Sequence, residues 1–156
     1  PAWSPDGKHI AIGCADKSVR AIDSVTGEQI VYMAAHDDWV RGTTFAHNGK
    51  AIFSVSRDQT VKMWDARTGE EFHTFTGHDD SVISVDFSPD GRQLATASED
   101  GTVRLWNVET AEELLALDIT QLGAFCVTFS PDGKRLAVGG YFLVSVWDLG
   151  PLDRLD

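Results

Sequence analysis

Apolar and polar residues alternate in short runs along the chain, most clearly between residues 77 and 107. Residues 81–87 (SVISVDF) are rich in β-branched side chains and nearly alternate, which predicts a β-strand. Three further short runs, at 93–98, 102–106 and 112–117, predict three more strands. The segments between them carry the Pro, Asp and Gly residues that favour tight turns. This pattern predicts a four-stranded antiparallel meander.

The same pattern recurs at a fixed spacing. The aromatic residue that opens a five-residue turn stands at positions 3, 45, 87 and 129, three equal intervals of 42 residues. Later in each copy stands Trp64, Trp106 or Trp147, with Ile22 in the first copy. A fixed period of this length marks a repeat architecture. Both faces of each predicted sheet carry apolar residues, so a single unit must stack against its neighbours to bury them.

Four copies of the unit account for the chain, and the predicted fold class is all-β. We place a partial first copy at about residues 1–35 and the others at 36–77, 78–119 and 120–156. The third copy is the best preserved and the second is nearly as good. The fourth is one residue short, since 41 residues separate its tryptophan from that of the third copy.

Composition narrows the classes of partner. The chain has a net charge of -11 and no cluster of Lys and Arg, so we expect neither a nucleic acid nor a membrane partner. No apolar run approaches the roughly 20 residues that span a bilayer, and the start is unlike a signal peptide. Cys14 and Cys126 form no disulfide framework, so we expect both to be small buried strand residues in a reducing compartment. The predicted location is intracellular, cytoplasmic or nuclear.

Four motifs of the third copy point to a known family: Gly77-His78, Phe87-Ser88-Pro89-Asp90-Gly91, Ser98-Glu99-Asp100 and Trp106-Asn107. On these motifs the chain resembles the WD-repeat (WD40) family, and the resemblance covers nearly its whole length. The resemblance implies a β-propeller, in which four-stranded blades stand radially around a channel. About four blades are present here, which implies that they belong to a larger ring of seven or eight blades.

The resemblance also implies a buried polar network in each good blade. Its members are Trp106, Ser98, His78 and Asp100 in the third copy, and Trp64, Ser56, His36 and Asp58 in the second. We expect the buried indole N–H to donate to the serine hydroxyl, the hydroxyl to the imidazole, and the imidazole to the carboxylate. The first copy has Cys14, Asp16 and Ile22 at these places, and the fourth has Thr120, Gly140, Phe142 and Trp147. We therefore expect the network to be broken in those two copies.

The same residues have the composition of a hydrolase triad, and this alternative is weaker. Each serine lies in the middle of a predicted strand and not on a strained turn, and an enzyme rarely needs two identical triads. Adjacent residues such as His36-Asp37-Asp38 rarely converge on one metal ion. The nucleotide-binding motifs GxGxxG and GxxxxGK[ST] are absent. We therefore expect no catalytic residue, no metal and no cofactor.

The resemblance implies that peptides bind on the rim of the channel, on the side of the His loops. Three positions in each copy line this rim: Trp39, Arg41 and Arg57 in the second, Ser81, Ile83 and Glu99 in the third, and Gly123, Phe125 and Tyr141 in the fourth. Large aromatic and arginine side chains dominate binding hot spots. The alternative is that these side chains only pack against a neighbouring blade or the channel wall.

Three functional hypotheses remain open at this point. The first is a non-catalytic scaffold that binds a protein or peptide on the rim. The second is a structural or assembly segment, or a regulatory propeller region, of a larger multidomain protein or complex; a propeller enzyme or small-ligand binder is the weakest hypothesis. An open arc would expose apolar blade faces, so we expect further blades from the same longer chain or from a second copy. The remaining alternative is that the chain forms a closed four-bladed disc by itself.

Overall fold

The computed structural model describes residues 1–119, 123–142 and 144–150. It divides into two compact units, residues 1–82 and 83–156. The strands of the first unit are β1 (Ala2–Trp3), β2 (His9–Gly13), β3 (Ser18–Asp23), β4 (Gln29–Ala34), β5 (Val40–Phe45), β6 (Ala51–Ser56), β7 (Val61–Asp65) and β8 (Glu71–Phe75). The remaining strands are β9 (Val82–Phe87), β10 (Gln93–Ser98), β11 (Thr102–Asn107), β12 (Glu113–Asp118), β13 (Ala124–Phe129), β14 (Arg135–Gly140) and β15 (Val144–Asp148).

The strands form four antiparallel meanders, one for each predicted copy. The first unit contains the sheets β1-β2-β3-β4 and β5-β6-β7-β8. The sheet β9-β10-β11-β12 and the three-stranded sheet β13-β14-β15 follow in chain order. The all-β prediction is confirmed, and the four strands predicted for the third copy match β9 to β12 within about one residue at each end.

Small residues let neighbouring sheets approach in both cores. In the first unit, β5 packs against the sheet that contains Ala11 and Ala21, which are 0% and 3% exposed. In the second unit, the fully buried Ala95 and Ala97 of β10 lie in one cluster with Ala124 of β13. Alanine carries only a Cβ, so the backbones of two stacked sheets come close without leaving voids. The small residues of β10 are therefore where the sheet of the fourth copy packs closely on that of the third.

The turns follow the chemistry that the sequence indicates. Between β9 and β10, the N–H of Gly91 donates to the carbonyl of Ser88 at 2.8 Å, and the Ser88 hydroxyl donates to Asp90 at 2.6 Å. Between the third and fourth strands, the backbone turns left-handed at Gly27, Gly69 and Ala111, with φ of 73°, 77° and 60°. Only glycine adopts this conformation without strain, so Ala111 is the strained member of the set.

β-Bulges interrupt the pairing at repeated positions. In the first strand of the second copy, Val40 pairs with Ser56 and Gly42 with Val55, so Arg41 is the extra residue. In the fourth copy the extra residue is Phe125. In the fourth strand of the first, second and third copies, the extra residues are Ile30, Phe72 and Leu114. A bulge redirects side chains out of the pleated pattern of the sheet.

Apolar side chains are exposed at the first and last described strands. Trp3 is 62% exposed, whereas Phe45 and Phe129 at the same place in later copies are buried against the preceding sheet. On β15, Val144 and Val146 are 79% and 64% exposed. Among the described residues, no helix is long and apolar enough to cross a bilayer.

Both cysteines carry free thiols, but their predicted burial is wrong. Cys14 is half-buried and Cys126 is exposed. The bulge at Phe125 shifts the register of β13, which changes the face on which Cys126 lies.

Candidate functional site: the polar network and the rim loops

The second copy contains a continuous hydrogen-bonded network between its strands. The Nε1–H of Trp64 donates to the Ser54 hydroxyl oxygen at 2.8 Å. That hydroxyl lies 2.7 Å from Nε2 of His36, and Nδ1 of His36 lies 2.8 Å from Oδ2 of Asp58. Because the indole can only donate and a carboxylate only accepts, the Ser54 proton goes to Nε2 and the imidazole proton sits on Nδ1. The network therefore connects four segments: strand β6, strand β7, the turn between these two strands, and the loop that precedes β5.

The predicted hydroxyl of this network is wrong by two residues. Ser56 donates instead to the Asp38 carbonyl at 3.1 Å and accepts from the Asp58 N–H at 3.1 Å, so it stabilises the loop and the turn. The reason is the register, in which Trp64 lies opposite Ile52. From there the Trp64 ring reaches Ile52 and the diagonal position two residues further along β6, which is Ser54. Ser56, four residues from Ile52, is too far away.

The carboxylate of Asp58 is fixed in its ionised form. Burial raises the pKa of this group, but hydrogen bonds from His36, from Thr60 and from the backbone N–H of Asp37 outweigh burial. They hold the pKa of Asp58 well below its usual value of 3.8. The contact distances are 2.6 Å from the Thr60 hydroxyl to Oδ1 and 2.9 Å from the Asp37 N–H to Oδ2. An anion therefore anchors this end of the network at neutral pH.

In the third copy, too, the tryptophan meets a hydroxyl two residues before the predicted one. The Nε1–H of Trp106 donates to the Thr96 hydroxyl at 2.9 Å, and not to Ser98 as predicted. Ser98 accepts from the N–H of Asp100 at 3.1 Å, and Asp100 accepts from the N–H of Thr102 at 2.7 Å. His78 is buried, at 5% exposure. Trp106 lies opposite Leu94, so Thr96 is again its diagonal neighbour.

The first copy lacks the network, in agreement with its sequence. Ile12 and Ile22 replace the hydroxyl and the indole, and the Asp16 carboxylate instead forms an ion pair with Arg20.

The fourth copy keeps the indole and loses its acceptor. Trp147 lies opposite Leu136, which makes Val138 its diagonal neighbour. Within the described residues, the Trp147 Nε1 atom is buried without a hydrogen-bond partner. Thr120, predicted at the histidine place, lies outside the described residues.

These polar side chains connect strands, and their hydroxyl groups are buried. Ser54 and Ser56 are 0% exposed, and both ring nitrogens of His36 have partners. A hydrolase needs its serine hydroxyl at the surface of a cleft. The structural interpretation of the His, Ser, Asp and Trp residues is therefore the one that the geometry supports.

The predicted rim residues of the second copy form one ordered surface. Trp39 is 48% exposed, and the Arg57 guanidinium lies 5.9 Å from the centroid of its ring. The Arg57 N–H donates to the Trp39 carbonyl at 2.9 Å, and the Trp39 N–H donates to Oδ1 of Asp38 at 2.8 Å. Asp38 Oδ2 also lies 3.9 Å from Arg57 Nε. Arg41 is exposed at the bulge of β5.

The predicted rim residues of the fourth copy form an aromatic cluster in the second unit. The rings of Phe125 and Tyr141 meet edge to face, with centroids 4.6 Å apart, and Phe142 lies 6.0 Å beyond. Tyr141 and Phe142 are 65% and 88% exposed. A Cβ added at Gly123 would lie 3.4 Å from Phe125 and 3.5 Å from the backbone of Glu99. Glu99, Phe125 and Tyr141 thus lie on one surface. Phe142 belongs to this surface as well, although it was not among the predicted rim residues.

The remaining two rim predictions, in the third copy, differ from each other. Ser81 is 1% exposed, and among the described residues its hydroxyl has no hydrogen-bond partner. Burial of this kind does not suit a residue offered to a partner. Ile83 is half-buried.

Comparison with known proteins agrees with the repeated sheets. The family model described as "WD domain, G-beta repeat" matches residues 2–23, 27–65, 69–107 and 120–148. A nuclear distribution protein PAC1 of Mycosarcoma maydis is 43% identical over 49 residues, which are 31% of this chain and 11% of that protein. A Lissencephaly-1 homolog of Caenorhabditis briggsae is 42% identical over 60 residues, 35% of this chain and 15% of that protein. The matched stretches thus span a small part of either relative.

Proposed function

The chain belongs to the WD-repeat family, and from this premise we propose that it is a non-catalytic scaffold that binds a protein or peptide on its rim loops. Blades of this family carry their structural polar groups inside, which leaves the loops available for recognition. We place this role inside the cell, in the cytoplasm or nucleus, in keeping with two thiols that are both free.

The observation that carries the proposal is the exposed Trp39–Arg57 pair. Half of the Trp39 side chain is in water, so it gains only part of the free energy that full burial of its apolar surface would give. The core cluster of the first unit does not include this ring. Hydrogen bonds through Asp38 and the backbone fix the loop in advance, so little conformational entropy is lost on binding. Tryptophan and arginine are also the residues most enriched in binding hot spots.

A second surface of the same kind lies in the second unit. Tyr141 and Phe142 expose two aromatic rings side by side, and the bulge at Phe125 supplies a third ring behind them. Tyrosine and phenylalanine supply large rigid contact areas. We propose that this cluster, with Glu99 beside it, also binds a protein or peptide.

The test compares captured proteins across matched variants. The double variant Trp39→Ala/Arg57→Ala removes the first surface, and Phe125→Ala/Tyr141→Ala removes the ring pair of the second. The control is Arg20→Ala/Tyr32→Ala, because these residues form another cation–π pair, at 5.8 Å, on β3 and β4, away from the rim loops. We expect quantitative mass spectrometry to show partners lost with the two rim variants and kept with the control. Partners retained by all three variants would contradict the rim proposal.

A structural or assembly role is the second candidate, favoured by the exposed apolar ends. Within the described residues, Trp3 on β1 and Val144 and Val146 on β15 lack the cover that their counterparts receive from a neighbouring sheet. We propose that further blades, from a longer chain or a second copy, cover these faces. Solution mass tests this proposal, because a stable monomer of 17.0 kDa that unfolds cooperatively would argue against the need for further blades.

A further inference from the structure

A further candidate binding surface, which includes none of the predicted rim residues, lies in the first unit. It is a pocket of about 440 Å³ between the sheet β1-β2-β3-β4 and the sheet β5-β6-β7-β8. Its apolar lining includes the buried Ala21 and Phe45 and the half-buried Ala66. This volume falls within the usual range of ligand pockets, roughly 300–1,000 Å³.

The bulge in β4 builds one wall of this pocket. Val31 pairs with Ala21 and Gln29 with Ile22, so Ile30 is the extra residue. Its side chain is 50% exposed and lines the pocket. An isoleucine held half in water beside an apolar cavity gains burial when a ligand fills that cavity.

The mouth of the pocket is positively charged because one turn has lost its carboxylate. In the other three copies, an aspartate accepts the N–H of the basic residue that follows the turn glycine: Asp6 with Lys8, Asp90 with Arg92, and Asp132 with Lys134. In the second copy Asn48 makes the same bond to the Lys50 N–H, at 2.9 Å, without a charge. Among the described residues, the Lys50 ammonium forms no ion pair.

Arg67 adds a second positive charge to the mouth. It is exposed and lines the pocket, and its counterparts in the first and third copies are Val25 and Glu109. The single anion in the lining is Asp65, whose carboxylate accepts the N–H groups of Thr68 and Arg67 at 2.7 and 2.8 Å. Those bonds lower the pKa of Asp65 and direct Oδ1 into its own turn. Lys50 and Arg67 therefore give the mouth an excess of positive charge on a chain of net charge -11.

We propose that this pocket binds an acidic peptide segment through a single apolar side chain. The apolar side chain fills the cavity against Phe45, Ala66 and Ile30. Carboxylates on either side of it face Lys50 and Arg67, which is the charge complementarity that gives an interface its specificity.

The test is a titration of the ¹⁵N-labelled protein followed by NMR. The probes are the peptides acetyl-Glu-Glu-X-Glu-Glu-amide with X as Leu, Phe or Trp, and with X as Ser for comparison. We expect saturable shifts of the amides of Lys50, Ala66 and Arg67 with at least one apolar X, and about tenfold weaker binding with Ser. The double variant Lys50→Glu/Arg67→Glu should weaken binding by about tenfold or more.

A matched control keeps the change in net charge the same. Arg92→Glu/Lys134→Glu alters the equivalent turn position in the third and fourth copies, outside the unit that holds the pocket, and should leave binding unchanged. Ala66→Phe fills the pocket without altering charge and should abolish the shifts while the spectrum stays that of a folded protein. The proposal is overturned by equal weakening in both charge variants, or by no saturable shift at the pocket up to about 1 mM peptide. Shifts confined to Trp39 and Arg57 would overturn it too, and would leave the rim proposal standing.

Discussion

The indole N–H of Trp64 donates a hydrogen bond of 2.8 Å to the hydroxyl of Ser54, its diagonal neighbour across β6 and β7. The same pair of positions holds Trp106 and Thr96 in the third copy, and Trp147 and Val138 in the fourth. The first two pairs are satisfied and the last is not. This single position therefore separates the intact blades from a degraded one.

Removing the hydroxyl of Ser54 should be costly. Ser54→Ala leaves both the Trp64 indole N–H and Nε2 of His36 buried without a partner. We expect a loss of about 1–3 kcal/mol in the free energy of unfolding, the usual cost of orphaned buried polar groups. Urea unfolding measures it. Ser54→Thr is the control, because it keeps the hydroxyl; equal losses in both variants would assign the effect to packing instead.

Restoring a hydroxyl in the fourth copy should stabilise the protein. Val138→Thr has nearly the same shape and places an acceptor beside Nε1 of Trp147. We expect a gain on the order of 1 kcal/mol. The control is Val103→Thr, at another fully buried valine of the same unit, which should lose stability because its hydroxyl has no such partner. A loss for Val138→Thr as large as that of the control would contradict the assignment.

Relieving the backbone at Ala111 should also stabilise the protein. Its φ of 60° is left-handed, whereas Gly27 and Gly69 stand at the same place in earlier copies. Ala111→Gly should gain about 0.5–1 kcal/mol, since the strain removed exceeds the added entropy of the unfolded chain. The reverse change, Gly69→Ala, should cost more than that, because its Cβ would lie 2.8 Å from Cγ1 of Val31. Thermal unfolding of the two variants checks both signs.

Stability should fall on acidification, partly through Asp58. Its pKa is lower in the folded protein than its usual value of 3.8, so the carboxylate contributes stability above that pH. The contribution is lost as the pH falls from 3.8 toward the folded pKa. Asp58→Asn should therefore be less stable than the parent at neutral pH, with a difference that narrows below about pH 4. A difference that stays constant from neutral pH to pH 2.5 would rule out the ionised Asp58 as its source.

Much of the fold follows from local sequence alone. The alternation of residues 81–87 and the turn chemistry of Ser88 to Gly91 depend on neighbours along the chain, so the strands were predictable within about one residue. The 42-residue period likewise predicts four similar sheets, each with an apolar face to cover. The family resemblance implies rim positions at Arg41 and Phe125, which stay a prediction, but it does not indicate the bulges at which both residues lie.

What the sequence by itself determined is the repeat, the strands, the turns and the identity of the polar groups that must be buried. Which hydroxyl each tryptophan meets was decided only by the cross-strand register, because Ser54 and Ser56 have the same polarity and the same parity along β6. The same register places Val138, which has no hydroxyl, diagonally opposite Trp147. The pocket beside Lys50 needed the packing of two sheets, since its lining comes from residues as distant in sequence as Ala21 and Arg67. Local chemistry sets what each segment prefers, and contacts between segments distant in the chain decide which partner each group finds.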